Sequence, residues 1–321
     1  MAHDDAVGAV PAIGLDIGGT KIVAAVVEPT GTILAVQRVG TPADGERRTA
    51  ALVELVRGMC ADHDLARTTV GVGAAGLVDL DGVMRYAPNL DWRDYPLRAL
   101  LESALGLPVR VENDAAAAAW GEYVVGAGRD AAGGALMLTV GTGVGGGLVT
   151  DGHLMRGAHG LAAEFGHIII AEGGPQCPCG NRGCLEAFSS GSAITRAARA
   201  AVAERTLPEG SRLYDIDDLI GTDVTVAAQD GDDGARAIMA TAGHWLGVGI
   251  ASLVNSLDPE IVIVGGGVVE AGPLLLEPAI EAYHGRVVAR GHRTVPAVVE
   301  ASLGDHAGVI GAALLGAMPR R

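Results

Sequence analysis

Aromatic residues are nearly missing: two Phe, three Trp and five Tyr make up 3% of 321 residues. The core must therefore be built from Val, Leu, Ile and Ala. Charge is also thin, 19% against roughly 25% in soluble domains. Hydrophobic residues at 49% nevertheless rule out a disordered chain. Bases are the minority, and 23 Lys and Arg against 38 Asp and Glu leave a formal charge of −15. That balance excludes a general electrostatic affinity for nucleic acid or anionic membrane. No apolar run reaches the roughly 20 residues of a membrane helix; the longest, near Leu246–Leu257 and Ala307–Met318, are about a dozen. Met1 to Val10 carries His3, Asp4 and Asp5 but no basic cluster, so it does not read as a secretory signal. Cysteines number four, Cys60, Cys177, Cys179 and Cys184, and three of them crowd into eight positions. Without an export signal, that crowding favours a metal over disulfides and a cytoplasmic setting.

Glycine is what the chain has in excess: 49 residues, about 15% against roughly 7% on average, with no collagen period. So much glycine means tight turns and close backbone approaches. Strand-like and helix-like segments alternate through the first half. Ile13–Ile17, Ile22–Val27 and Ile33–Val36 read as strands, Thr49–Cys60 as a helix and Val70–Val72 as a strand. Leu97–Leu105 reads as a helix, Val109–Val111 as a strand and Ala115–Val125 as an Ala-rich helix. The opening unit then recurs about 123 residues later: strand Leu136–Val140, Gly-rich turn, strand Gly147–Val149, tight turn, strand His153–Met155. Helices follow near Ala193–Glu204, Val226–Gln229 and Ala235–Ser256, then a strand at Ile261–Val264 and a closing helix at Ala307–Ala317. The expected fold is a duplicated α/β pair with an interdomain cleft.

Three glycine turns each follow a strand. In Asp16-Ile17-Gly18-Gly19-Thr20-Lys21, backbone N–H groups can approach phosphate oxygens and Asp16 can hold the waters of Mg²⁺. A plain hairpin turn would use the same residues. Gly141-Thr142-Gly143-Val144-Gly145-Gly146-Gly147 carries more glycine than a hairpin requires, and lacks the Gly-Lys-Ser/Thr ending of a P-loop. Gly265-Gly266-Gly267 closes a buried strand where a nucleotide-contacting turn is expected. Together they point to a nucleotide phosphotransferase.

Glu112-Asn113-Asp114 stands between a strand and a helix, so Asn113 and Asp114 can be helix caps. Alternatively Asp114 accepts the proton of a substrate hydroxyl while Asn113 fixes the sugar; both readings can hold together. Cys177, Cys179 and Cys184, with His167 ten residues ahead of the first, offer three thiolates and an imidazole, the donor set of a closed structural zinc site. Three structural thiols at a tight turn are the alternative. Glu164 and Glu186 bracket the cluster and by spacing alone are solvated surface charges.

These motifs resemble the ROK family (repressor, open reading frame, kinase) and, within it, the bacterial glucokinases. Gly14–Lys21 is similar to the family's first phosphate loop, Gly71–Asp79 (with Gly76) to its second strand and turn, and Asn113-Asp114 to its catalytic pair. Gly141–Gly147 is similar to its second phosphate loop, and Glu164–His167 with Cys177–Glu186 to its zinc and sugar signature. Pro88-Asn89-Leu90 and Trp92–Leu97 resemble the glucokinase stretch before the base. The resemblance implies an actin-like ATPase (ribonuclease H-like) fold, with residues 1–114 plus about 303–321 as a small domain and 115–302 as a larger one bearing the zinc. It implies transfer of the ATP γ-phosphoryl group to the 6-hydroxyl of glucose, with Asp114 as base. Gly76, Asn113, Asp114, Glu164, His167 and Glu186 would hold the sugar. Asp16, Gly18, Gly19, Thr20, Lys21, Gly141, Thr142, Gly143, Gly265, Gly266 and Gly267 would serve ATP and Mg²⁺, and His167, Cys177, Cys179 and Cys184 a structural Zn²⁺. It also implies a homodimer or homotetramer.

Ala163 departs from the family, which often has Gly before the Glu; its methyl is expected to shift Glu164 slightly without removing the site. The repressor branch carries a DNA-binding domain before the first loop, and the fifteen residues ahead of Asp16 are too few for one. The alternatives are a kinase of another hexose (N-acetylmannosamine, N-acetylglucosamine or fructose), a non-catalytic sugar-sensing ROK protein, and polyphosphate in place of ATP.

Overall fold

The structure is a computed structural model that describes residues 10–63, 65 and 68–319, so the stretch with His3, Asp4 and Asp5 lies outside the described residues. The chain forms two compact units, Met1–Leu136 with Gly147–Ala163 and Ser302–Arg321, and Met137–Gly146 with Glu164–Ala301.

The chain opens with β1 (Ala12–Ile17), β2 (Lys21–Val27) and β3 (Ile33–Gly40). β1 and β2 are apolar along nearly their whole length and buried on both faces, whereas β3 alternates and is largely exposed. Next come α1 (Gly45–His63) and β4 (Val70–Ala74). A small antiparallel sheet follows, β5 (Leu77–Val78), β6 (Met84–Ala87) and β7 (Trp92–Tyr95), and was not expected from the sequence pattern. α2 (Leu97–Leu105) starts after Pro96 and stops at Gly106, which takes the left-handed conformation at φ 67°. β8 (Val109–Asn113) leads into α3 (Asp114–Val125). The first sheet has the order β3-β2-β1-β4-β8, with β1, β4 and β8 mutually parallel.

The second series is β9 (Ala135–Val140), β10 (Val144–Thr150) and β11 (His153–Leu154). After it come α4 (Glu186–Ser189), α5 (Gly191–Ala203), α6 (Gly221–Gln229) and α7 (Asp233–Leu257). The chain ends with β12 (Ile261–Gly265), α8 (Pro273–His284), β13 (Ala297–Glu300) and α9 (Ala307–Gly316). Its sheet has the order β11-β10-β9-β12-β13, which repeats the first position for position and bears out the expected duplication. α8 and β13 are further elements the sequence pattern did not reveal.

Among the described residues, α7 alone is long and apolar enough to cross a membrane. It is instead a core helix. Gly243 and Gly247 bring its backbone onto α8, where an added Cβ would overlap the carbonyls of Leu275 and Ala279.

α9 returns to the first unit and lies on its sheet with no spacing layer. A Cβ on Gly14 of β1 would overlap the Val309 carbonyl, and one on Gly71 of β4 the Ala312 carbonyl. Gly311 likewise meets the Ala117 carbonyl of α3. The buried Glu122 carboxylate fastens the returning segment by accepting from Ala127 N (2.8 Å), Ser302 Oγ (3.1 Å) and Leu303 N (2.7 Å).

A methyl at Gly71 should therefore cost roughly 3 kcal/mol or more, the upper end for overpacking. Gly58, exposed on α1 with open space around it, should instead gain up to about 1 kcal/mol on substitution by Ala. Urea unfolding of Gly71→Ala and Gly58→Ala measures both; equal effects would refute the packing account.

Candidate active site and metal centre

Because β1, β4 and β8 are parallel, their carboxyl ends share one edge, where ligand sites of α/β sheets gather. Register places Asp16 beside Gly73, and Gly73 beside Glu112. The turn after β1 is a tight hairpin closed by Gly18 N–H donating to the Lys21 carbonyl at 3.0 Å. The Thr41 hydroxyl donates to the Gly18 carbonyl at 2.7 Å. Gly19, Thr20 and Lys21 are left exposed at its tip, with Lys21 Nζ 3.9 Å from Asp305.

Asp16 faces Gly308 on α9, where a Cβ would come within 2.9 Å of the carboxylate. Burial, and next the charge of Asp114, push the Asp16 pKa up to about 7. Burial also raises that of Asp114. The helix cap is Asn113, whose Oδ1 accepts from Ala116 N at 2.9 Å while its Nδ2 donates to the Gly76 carbonyl at 3.1 Å. Gly76 is at φ 141°, and a Cβ there would approach the Tyr86 carbonyl to 2.6 Å. Asp114 accepts only the adjacent Ala115 N–H among the side-chain bonds described, so α3 does not need it as its cap.

Arg156 is a residue the sequence reading missed. Glu112 is 3% exposed, and its Oε2 lies 2.6 Å from Arg156 Nε. Its other oxygen accepts Asn113 N–H at 3.1 Å. A buried carboxylate requires such a partner, and Glu112 beside the proposed base was the signal that one existed. Burial raises the Glu112 pKa and Arg156 works against it.

In the second unit, the Gly141–Gly143 turn is held by its own N–H to carbonyl bond (2.9 Å) and by the start of α5. Gly141 O accepts Gly191 N at 2.8 Å, and Thr142 O accepts Ser192 Oγ at 2.8 Å. Only this part of the glycine run is a turn. β10 begins at Val144, and Gly146 is there because a Cβ would come within 2.7 Å of the Met137 carbonyl. Gly266, at φ 91°, abuts the Val140 carbonyl, so the third glycine turn meets the end of β9 where the second begins. Gly265 ends β12, and Gly267 faces open space.

The donor atoms of His167, Cys177, Cys179 and Cys184 all lie within 4.8 Å of one another. Cys177 Sγ is 3.7 Å from His167 Nδ1, and Cys179 Sγ is 3.7 Å from Cys184 Sγ. Tetrahedral zinc with bonds of about 2.3 Å to sulfur sets neighbouring sulfurs about 3.8 Å apart. The spacing fits that ion. Burial pushes the Cys177 and Cys184 thiols up, a penalty a bound cation would offset. With Nδ1 toward sulfur, His167 turns Nε2 to Glu164, 3.9 Å away. Glu186, at the start of α4, joins the cluster to the second glycine turn. Its Oε2 accepts Val144 N at 2.9 Å and its Oε1 is 3.6 Å from Cys177 Sγ. A Cβ at Gly143 would overlap that carboxylate. Ala163 adopts φ 70°, a left-handed conformation that costs a non-glycine residue roughly 1 kcal/mol.

Metal-free protein tests the Asp16 environment. Its folded pKa lies above the unfolded value of 3.8, so the folded state holds a proton that the unfolded state has already lost. This group's penalty therefore grows between about pH 4 and 7 and is complete above that. In EDTA, the melting temperature of Asp16→Asn relative to wild type should climb from pH 5 to 8. A difference independent of pH would contradict it.

A family profile described as ROK family matches residues 12–318. The glucokinase of Streptomyces coelicolor is 41% identical over 316 residues, covering 96% of this chain and 98% of that protein. A ROK glucokinase from Streptomyces griseus, solved in complex with glucose and AMPPNP, is 41% identical with a TM-score of 0.81 over 95% of this chain and 99% of that one. A ROK hexokinase from Thermus thermophilus gives 37% identity and a TM-score of 0.83 over 96% and 98%. With its profile match nearly end to end and its duplicated sheets in the actin-like ATPase arrangement, the chain belongs to the ROK family.

Proposed function

We propose that the chain is an ATP-dependent glucokinase that phosphorylates the 6-hydroxyl of glucose. The observation that carries this is the 41% identity to a glucokinase across 96% of one chain and 98% of the other. In the reaction, the glucose O6 attacks the γ-phosphorus, the bond to ADP breaks, and the hydroxyl proton passes to Asp114. Burial, which raises the Asp114 pKa, makes it a stronger base, and the Asn113 cap fixes the helix start that carries it. Asn113, Glu164, His167 and Glu186 would hold sugar hydroxyls, and Gly76, through its carbonyl, sets the Asn113 amide. The turns Gly18–Lys21, Gly141–Gly143 and Gly265–Gly267 would present donors to the nucleotide. Bound Mg²⁺, held through Asp16, would supply positive charge to the transferred phosphate.

The proposed occupant of the Cys/His cluster is zinc. His167, Cys177, Cys179 and Cys184 would fill all four positions of a tetrahedral ion, whose part would be to fix the segment from Glu164 to Glu186. His167 and Glu186 would thereby hold their sugar-facing atoms in place.

Assays with ATP across a hexose panel should rank glucose above N-acetylmannosamine, N-acetylglucosamine and fructose in kcat/KM. Asp114→Asn should lose about 10²–10⁴-fold in kcat with glucose affinity nearly unchanged. Near-normal turnover by that variant would remove Asp114 as the base.

Purified wild type should carry one zinc per chain. Cys184→Ala should lose it, melt earlier and raise the glucose KM about tenfold or more. Because Glu186 also holds Val144 N, a smaller rise in the ATP KM should accompany it. A variant that loses zinc but keeps both KM values would overturn the positioning role.

A further inference from the structure

The first unit contains a cavity of about 450 Å³ beside the edge strand β8, lined by none of the glycine-turn residues. Its lining includes three arginines, Arg98 from α2, Arg110 from β8 and Arg156, with His153 from β11 beside them. Three guanidinium groups from separate parts of the chain converge in a protein whose net charge is −15. Local acids account for part of this charge. Arg156 pairs with Glu112 at 2.6 Å, and Arg98 lies 3.6 Å from the exposed Asp81. His153 is turned by its Nδ1 to the Asp151 carbonyl at 2.6 Å. Arg110 differs. Among the described residues its half-buried guanidinium has no hydrogen bond and no ion pair within 4.0 Å; burial works against its charge, the Glu112 carboxylate favours it and Arg156 adds repulsion, and the balance lowers its pKa. The Trp120 indole N–H, in the same wall, is also buried without an acceptor.

Glu112 does not fully compensate the partly desolvated Arg110 beside Arg156, and a bound anion would offset the remaining cost. The planar forks of arginine suit the oxygens of phosphate, and several forks converging from different directions suit a group with three or more of them. The remaining wall is apolar, including Leu80, Leu154 and Leu315, and the volume lies within the usual range for small-ligand pockets. We propose that this cavity is a binding site for a phosphate group, either free phosphate or the head of a small phosphate monoester, with Arg110 as its principal ligand. Its lining shares no residue with those proposed to hold glucose and ATP, although Arg156 pairs with Glu112 two positions before Asp114, and its binding does not depend on that reading.

The test uses the full chain saturated with glucose and AMPPNP, so that the glycine turns are occupied, titrated calorimetrically with inorganic phosphate and, separately, with glycerol 3-phosphate. Failure of glucose or AMPPNP to bind in the preceding step would count against the kinase reading alone, and the same titrations would then be run on the free chain. One equivalent of at least one anion should bind saturably. Arg110→Gln should weaken it about tenfold or more, the loss expected for one charge-assisted hydrogen bond, and Arg110→Lys should lose less. Tighter uptake of glycerol 3-phosphate would identify the monoester, and equal or tighter uptake of phosphate the free anion. The melting temperature of Arg110→Gln without anion should stay close to wild type, because the half-buried guanidinium makes no hydrogen bond among the described residues. Absence of saturable binding, or binding indifferent to Arg110→Gln, would overturn the proposal.

Discussion

The arrangement of the first unit depends on one steric constraint: the backbone of α9 rests directly on the bare Cα atoms of Gly14 and Gly71. At that separation no side chain intervenes, so the helix and the two strands are fixed relative to each other by hard contact, which tolerates little sliding. The same helix reaches α3 through Gly311 and Asp16 through Gly308. Asp16 and Asp114 are therefore placed by three elements, β1, α3 and α9, whose approach leaves no slack. Composition follows from this geometry. A protein that packs backbone on backbone needs glycine and alanine at its contacts, and has little use for large aromatic rings there.

In the second unit the organising element is Glu186. One of its oxygens holds the first N–H of β10 and the other lies against Cys177. A disturbance of the cysteine cluster is thus carried to the glycine turn through a single carboxylate. The missing side chain of Gly143 makes room for it. A glycine that looks like a nucleotide-binding residue in sequence has a second reason to be glycine in the fold.

Much of the fold was legible because its strands are short apolar runs and its helices keep regular spacing. α2 matches its expected bounds, Leu97–Leu105, and α7 and α9 lie within two residues of theirs. The same local signals failed for α8, which has Pro278 inside it, and for β13, whose residues are half-buried or exposed. The β5–β7 sheet is made of strands of two to four residues, too short to show a period. At the site, sequence reading found the residue types but not their long-range partners. Glu112 and Arg156 are 44 positions apart, and Glu186 and Val144 are 42. Pairs of that kind are created by topology, and no window along the chain contains both members. The glycine run was over-read for the same reason: the demand on Gly146 comes from Met137 on a neighbouring strand.

The discontinuity of the first unit has a consequence for biosynthesis. Its sheet is complete by Asn113, yet the helix that covers Gly14 and Gly71 spans Ala307–Gly316. A ribosome must deliver almost the whole chain before that apolar face can be covered. Most of the second unit, Glu164–Ala301, is by contrast one continuous stretch that has emerged before α9. The early-made sheet thus waits with its glycine-lined face open while later residues are added, at about 5–20 residues per second. Over that interval of many seconds its Gly14 and Gly71 face lacks the helix that covers it in the finished fold.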